Sequence, residues 1–125
     1  MSATLWSVSL LRSFGFALEG ASYLIRTQRS AQIEIAIGVV VIAAATWLGV
    51  SAIEWAVLIL AMALVLALEA LNTAIELAVT LASPERHPLA KAAKDVAAAM
   101  VLIASIGSVL VCAIVLGPRI AVLLA

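Results

Sequence analysis

The chain has 125 residues, of which 66% are hydrophobic and only 11% charged, with a mean hydropathy of +1.28. A soluble domain of this size has too little interior to hide so much apolar surface, so the excess must face lipid. Seven basic and seven acidic residues cancel, which together with the lack of a long basic run argues against a nucleic-acid partner.

In chain order, residues 1–20 lack the continuous apolar core of a cleavable signal, because Arg12 and Glu19 fall among serines and glycines. Over residues 5–27, Leu10, Leu11, Phe14, Ala17, Leu18, Ala21, Leu24 and Ile25 recur at three- and four-residue steps, with Arg12, Ser13, Glu19 and Arg26 mostly on the other side. This pattern predicts an amphipathic helix on the membrane surface, carrying Trp6; a helix packed on the bundle is the alternative.

Three apolar blocks follow, at about 35–50, 55–82 and 96–116. A span needs roughly 20 helical residues, which predicts transmembrane helices over about 31–50, 53–82 and 90–116. The second block is interrupted by Glu69, Asn72 and Glu76 and is long enough for one end to leave the hydrocarbon. Leu48-Gly49-Val50-Ser51 offers a turn between the first two spans, and Ser83-Pro84-Glu85-Arg86-His87-Pro88 is a polar loop. Pro84 disfavours helix at Ser83, which is expected to end the second span and cap a new turn. Cys112 lies in an apolar run and reads as a small core filler. No linker, low-complexity tract or internal repeat is visible, so one membrane domain is expected.

Arg12, Arg26 and Arg29 precede the first span, and Arg86, Lys91 and Lys94 flank the loop between spans two and three. Three spans put those regions on one side, leaving only Arg119 opposite. By the positive-inside rule that side is cytoplasmic, with Trp47 and Trp55 marking the outer interface.

Glu69, Asn72 and Glu76 stand at i, i+3 and i+7 and therefore look in one direction within an arc of about 60°. Carboxylates inside a membrane helix are costly and usually face a bundle interior or a functional cavity. An interhelical hydrogen-bond network would also account for such a stripe. The third span opens with Lys91, Lys94 and Asp95, where Lys91 and Asp95 are spaced to pair at i, i+4. Acidic groups and a lysine converging at the membrane surface suit a divalent cation and a polyphosphate. Glu69, about two turns deeper, suits a lipid head group. The gradient points to group transfer from a water-soluble donor to a lipid. No phosphate-cradling glycine loop is present, and His87 lacks a histidine or cysteine at ligand spacing.

The segments Glu69-Ala70-Leu71-Asn72-Thr73-Ala74-Ile75-Glu76, Glu85-Arg86-His87-Pro88-Leu89-Ala90-Lys91 and Ala93-Lys94-Asp95 closely resemble the prokaryotic diacylglycerol kinase family, which includes undecaprenol kinases. The resemblance runs from about Phe14 to Leu116. It implies an all-α integral membrane protein, a homotrimer of three-span subunits with an N-terminal surface helix, in the bacterial inner membrane. It also implies transfer of the γ-phosphate of MgATP to a lipid hydroxyl without a phosphoenzyme. By position, Glu69 resembles the general base, Asn72 a residue orienting it or the phosphate, and Glu76 a Mg²⁺ ligand. Lys94 resembles the cation that neutralises the ATP phosphates, with Asp95, Glu85 and His87 around the nucleotide. Gln28 stands where the family commonly has a glutamate supporting the metal and nucleotide, and Thr80 replaces a frequent aspartate. The stretches 23–29 and 87–91 look closer to the undecaprenol kinase branch. Two other readings are a small proton-coupled transporter and a non-catalytic membrane scaffold; the first leaves Asn72, Glu76, Lys94 and Asp95 without a purpose.

Overall fold

A computed structural model describes residues 3–125, with side-chain surroundings from residue 8 onward, so the side chain of Trp6 lies outside it. The described chain is all helix: α1 (Ala3–Thr27), α2 (Arg29–Leu48), α3 (Ala52–Ala82) and α4 (Pro88–Leu124). The last three are long and apolar enough to cross a membrane. At 1.5 Å per residue α2 measures roughly 30 Å, the thickness of the hydrocarbon core, whereas α3 and α4 run to roughly 46 and 55 Å. Both of the longer helices therefore outreach the bilayer.

Only one residue separates α1 from α2. Gln28 leaves the helical region (φ −105°, ψ 111°), yet its N–H still donates to Leu24 O at 2.9 Å. Gln32 straddles the break, with Nε2 donating to Ile25 O at 2.9 Å. At the far end of α2, Gly49 takes the left-handed conformation (φ 67°), which costs glycine no Cβ clash and turns the chain sharply towards α3. Ser51 then opens α3 with a reciprocal capping box: its Oγ accepts from the Glu54 N–H and its own N–H donates to Glu54 Oε1, both at 3.2 Å.

The second and third spans pack on each other over the longest interface, and α2 leans on both. Ala45, Val50, Leu58, Val115 and Leu116 form the buried cluster at the Gly49 end, with Val41, Ala44, Trp55, Met62 and Cys112 around it. Leu58→Ala removes a side chain with no exposed surface and is expected to cost about 2–5 kcal/mol. A lower midpoint in thermal unfolding of the detergent-solubilised protein checks this; an unchanged midpoint contradicts the core assignment.

The core is small for the chain. The surface amounts to 8988 Å², against roughly 6,300 Å² for a soluble monomer of this mass, and residues such as Val40, Leu60, Ile103 and Ile114 stand exposed. That surplus is apolar and suits lipid or further copies of the chain.

Two boundaries differ from the sequence-based expectation. The new turn expected at Ser83-Pro84 does not form, and α4 starts at Pro88, near the expected bound of about 90. Ser83 ends α3, and its Oγ donates to Glu85 O at 3.0 Å. His87 caps α4 instead, with Nδ1 accepting from the Leu89 N–H at 3.1 Å and Pro88 in the first turn. Pro88 suits that first turn because its missing N–H falls where a helix needs none. The last helix also continues past residue 116, through Pro118, to Leu124. Pro118 forfeits one helical hydrogen bond. The following residue, Arg119, reaches Glu54 in the first turn of α3 with Nη2 2.5 Å from Oε1. That ion pair ties the final turns to the bundle.

Candidate active site

The polar stripe predicted on α3 exists and faces the bundle to a graded extent. Glu69 is only 4% exposed, although it is a carboxylate in the middle of an apolar helix. Thr73, one turn on, is equally buried and returns its hydroxyl to the Glu69 carbonyl at 2.9 Å. The Glu69 carboxylate is met from α2: Ser30 Oγ donates to Oε2 at 2.9 Å. Ser30 was not among the residues singled out from sequence. It lies 39 positions away, and no local pattern marks it.

Asn72 and Glu76 come next along the stripe. Asn72 Nδ2 donates to Glu76 Oε1 at 3.5 Å, a long bond that constrains the carboxylate weakly. Asn72 Oδ1 is buried without a hydrogen-bond partner. Such an orphaned acceptor costs stability unless something arrives to satisfy it. Glu69 and Glu76 are separated along the axis by about 10 Å.

Beyond Glu76 the groove between the ends of α3 and α4 opens, about 720 Å³ in volume and lined by Thr80, Glu85, His87, Lys91, Lys94 and Asp95 among others. Four of the residues named from sequence thus share one cavity: Glu85, His87, Lys94 and Asp95. Within it the two lysines differ. Lys91 Nζ is 2.6 Å from Asp95 Oδ2, the predicted i, i+4 pair. Lys94 Nζ donates to Thr80 Oγ1 at 2.9 Å, a neutral partner that leaves its charge uncompensated. His87 is half committed, because its Nδ1 caps α4.

Gln28 is not drawn to Glu76 by any hydrogen bond. Its Nε2 donates to Thr27 Oγ1 at 3.2 Å, so its bonds remain at the α1–α2 junction. Among the described residues, no three His, Cys, Asp or Glu side chains gather as a metal site would require. An acceptor set completed by phosphate oxygens needs fewer, since Mg²⁺ is held through one or two carboxylates plus substrate phosphates. Glu76, loosely restrained, and the unpartnered Asn72 Oδ1 beside it fit a cation or donor brought by a ligand.

A polar stripe running from buried Glu69 to half-buried Asn72 and Glu76 and on to a groove of mixed charge, carried on helices able to cross a membrane, suits an enzyme that works at a membrane. The comparisons with known proteins agree. The family model for prokaryotic diacylglycerol kinase matches residues 15–116. The chain is 49% identical over 109 residues to a diacylglycerol kinase of Synechocystis sp., covering 85% of this chain and 62% of that protein. It is 36% identical over 108 residues to the undecaprenol kinase of Bacillus subtilis, covering 86% and 88%. A diacylglycerol kinase of Pseudomonas aeruginosa is 38% identical over 95 residues, covering 76% and 77%. The chain spans less than two thirds of the Synechocystis protein and most of the other two. The chain belongs to the prokaryotic diacylglycerol kinase family, a class of membrane lipid kinases.

Proposed function

We propose that this protein is an ATP-dependent lipid kinase that transfers the γ-phosphate of MgATP to the hydroxyl of a membrane lipid, diacylglycerol or undecaprenol. The observation that carries this reading is the depth gradient: a carboxylate buried in the span at Glu69, with a cavity holding an unneutralised lysine at the helix ends. A transporter would need the first feature and not the second.

In the proposed reaction Glu69 accepts the proton of the lipid hydroxyl. The hydroxyl oxygen attacks the γ-phosphorus, the bond from that phosphorus to the β–γ bridging oxygen breaks, and ADP leaves. Little covalent work falls to the protein, so positioning and charge placement dominate. Lys94 meets the phosphates as a point charge. Asn72 orients either Glu69 or the phosphate, while Asp95, Glu85 and His87 surround the nucleotide. Glu76, with the side-chain carbonyl of Gln28, would hold Mg²⁺. Bound there, the ion supplies charge neutralisation on the phosphates.

The remaining parts of the reading concern assembly and orientation. The apolar surplus of surface, and small residues on α4 such as Ala98, Ser105, Gly107 and Ser108, suit packing of further copies of the chain, and the resemblance to the family makes that assembly a homotrimer. The repeat of Leu10, Phe14, Leu18, Ala21 and Ile25 on α1 supports an amphipathic surface helix. The distribution of arginine and lysine supports a groove on the cytoplasmic side, the lack of a linker or repeat supports a single membrane domain, and the family resemblance implies the bacterial inner membrane.

Purified protein in vesicles containing diacylglycerol and undecaprenol in parallel tests the acceptor. Phosphorylated product is expected with ATP and Mg²⁺ and at least 100-fold less after chelation with EDTA, the order of a lost charge-stabilising group. Product that persists undiminished in EDTA contradicts the metal assignment, and the lipid that acquires label names the acceptor.

A further inference from the structure

The buried end of the stripe carries a contact that the family motif does not account for. Ser30, the second residue of α2, is exposed as a residue, yet its hydroxyl donates to Glu69 Oε2 at 2.9 Å. Its backbone position explains how it reaches. Gln28 breaks the chain just before it, so α2 starts afresh at Arg29 and its first turn is set against α3. Ala31, alongside, is fully buried and has no side chain bulky enough to hold the helices apart. With Glu69 acting as a general base, and so as a carboxylate, the bond would be charge-assisted and stronger than one between neutral groups.

Other charged groups leave Glu69 to this partner. From α2, Glu34 lies close enough for the two carboxylates to interact, and it can only repel an ionised Glu69. On α3 itself Glu76 is bonded to Asn72. All four charged side chains of α4 are engaged elsewhere: Lys91 with Asp95, Lys94 with Thr80 and Arg119 with Glu54. Among the described residues no cation is bonded to the Glu69 carboxylate, and a flexible side chain beside a second acid has several rotamers open to it.

We propose that Ser30 is a positioning residue for Glu69, holding one carboxylate oxygen so that the other is presented to the substrate hydroxyl. The proposal rests on Glu69 being the general base. The held oxygen fixes the rotamer, and the released one stays unencumbered for proton transfer, which demands placement within hydrogen-bond reach. The hydroxyl itself neither gains nor loses a proton in the reaction.

Ser30→Val and Ser30→Thr form the test, because they are isosteric and differ in the hydroxyl. Both put a branched side chain at an exposed site in the first turn, so they match in shape and in local helix propensity, and thermal unfolding of each variant measures what valine loses in stability with the bond to Glu69. The valine variant is expected to lower kcat about tenfold to 100-fold, the scale of one hydrogen bond to a charged group, with KM for ATP and for lipid unchanged. The threonine variant is expected to restore kcat to within about twofold of wild type. Ser30→Ala, without the branch, is expected to follow valine. Equal kcat in the valine and threonine variants overturns the proposal, as does a loss expressed in KM for lipid, which would make Ser30 a substrate contact. Glu69→Gln in parallel separates the two failures. If it is inactive while Ser30→Val is normal, only the positioning role falls; if it is fully active, the general-base reading falls and this proposal with it.

Discussion

Replacing Glu69 by glutamine is expected to lower lipid phosphorylation by about 10²–10⁴-fold, the contribution typical of a positioned general base, while leaving ATP binding unchanged. The two parts of that expectation have different origins. The carboxylate is buried in α3 and sits about 16 Å along the helix from Thr80 in the groove, so removing its charge leaves the nucleotide's surroundings alone. Glutamine has the same shape and can still accept the Ser30 hydrogen bond through its carbonyl oxygen, so the bundle does not lose its packing. What it cannot do is take a proton from an alcohol. Equilibrium binding of ATP, measured beside single-turnover transfer to lipid, checks both halves. A fall in ATP affinity to match the fall in rate would place Glu69 at the nucleotide instead.

Lys94 gives the second large effect. Its ammonium is held by a hydroxyl, Thr80 Oγ1, at 2.9 Å, whereas its neighbour Lys91 is neutralised by Asp95. A cation without a counter-ion, in a groove lined by the helix-capping loop, is ready for phosphate oxygens at no cost of breaking an ion pair. Lys94→Met keeps the apolar stem and removes the charge. It is expected to reduce kcat by about 10²–10³-fold, as loss of one preorganised charge-stabilising donor does, and to raise KM for ATP. Lys91→Met, as the control, is expected to change either constant far less. Steady-state kinetics with varied ATP decides, and comparable losses in the two variants would contradict the distinct role given to Lys94. Thr80 sharpens the point. An aspartate at this position would hold the lysine by charge, whereas threonine holds it by a neutral hydrogen bond alone.

How much of this was legible in the sequence depends on the range of the interaction. The spans were readable because uncharged runs of bilayer length have few other uses, and the stripe of Glu69, Asn72 and Glu76 followed from helical periodicity alone. The Lys91–Asp95 pair is likewise local, one turn apart. What escaped were contacts closed by folding. Ser30 meets Glu69 across 39 residues, and nothing near Ser30 announces it. The Arg119–Glu54 pair spans 65 residues and holds the last helix in place beyond Pro118, where a proline after glycine reads as a stop. The third span was expected from about residue 90, and α4 starts two residues earlier, at Pro88. His87 decided that start, by capping through a ring nitrogen rather than through the serine or threonine oxygen that capping patterns favour.

Gln28 is the place where motif and geometry part. The family resemblance assigns it a share in holding the metal, yet its own hydrogen bond stays with Thr27, and its backbone forms the break between α1 and α2. In the proposed site an uncharged side chain there would lower the negative charge offered to Mg²⁺, so that Glu76 would be the one carboxylate beside the Gln28 carbonyl and the ATP phosphates. Activity is therefore expected to depend more steeply on Mg²⁺ concentration here than after Gln28→Glu, which restores a second carboxylate.

The central claim, that the membrane supplies the substrate and Glu69 activates it, is tested most directly by transfer of labelled γ-phosphate from MgATP to lipid in reconstituted vesicles. Wild-type protein is expected to place label in the lipid fraction, and the Glu69→Gln protein is expected to place almost none. Label absent from lipid with wild-type protein, or present equally with both, would contradict it.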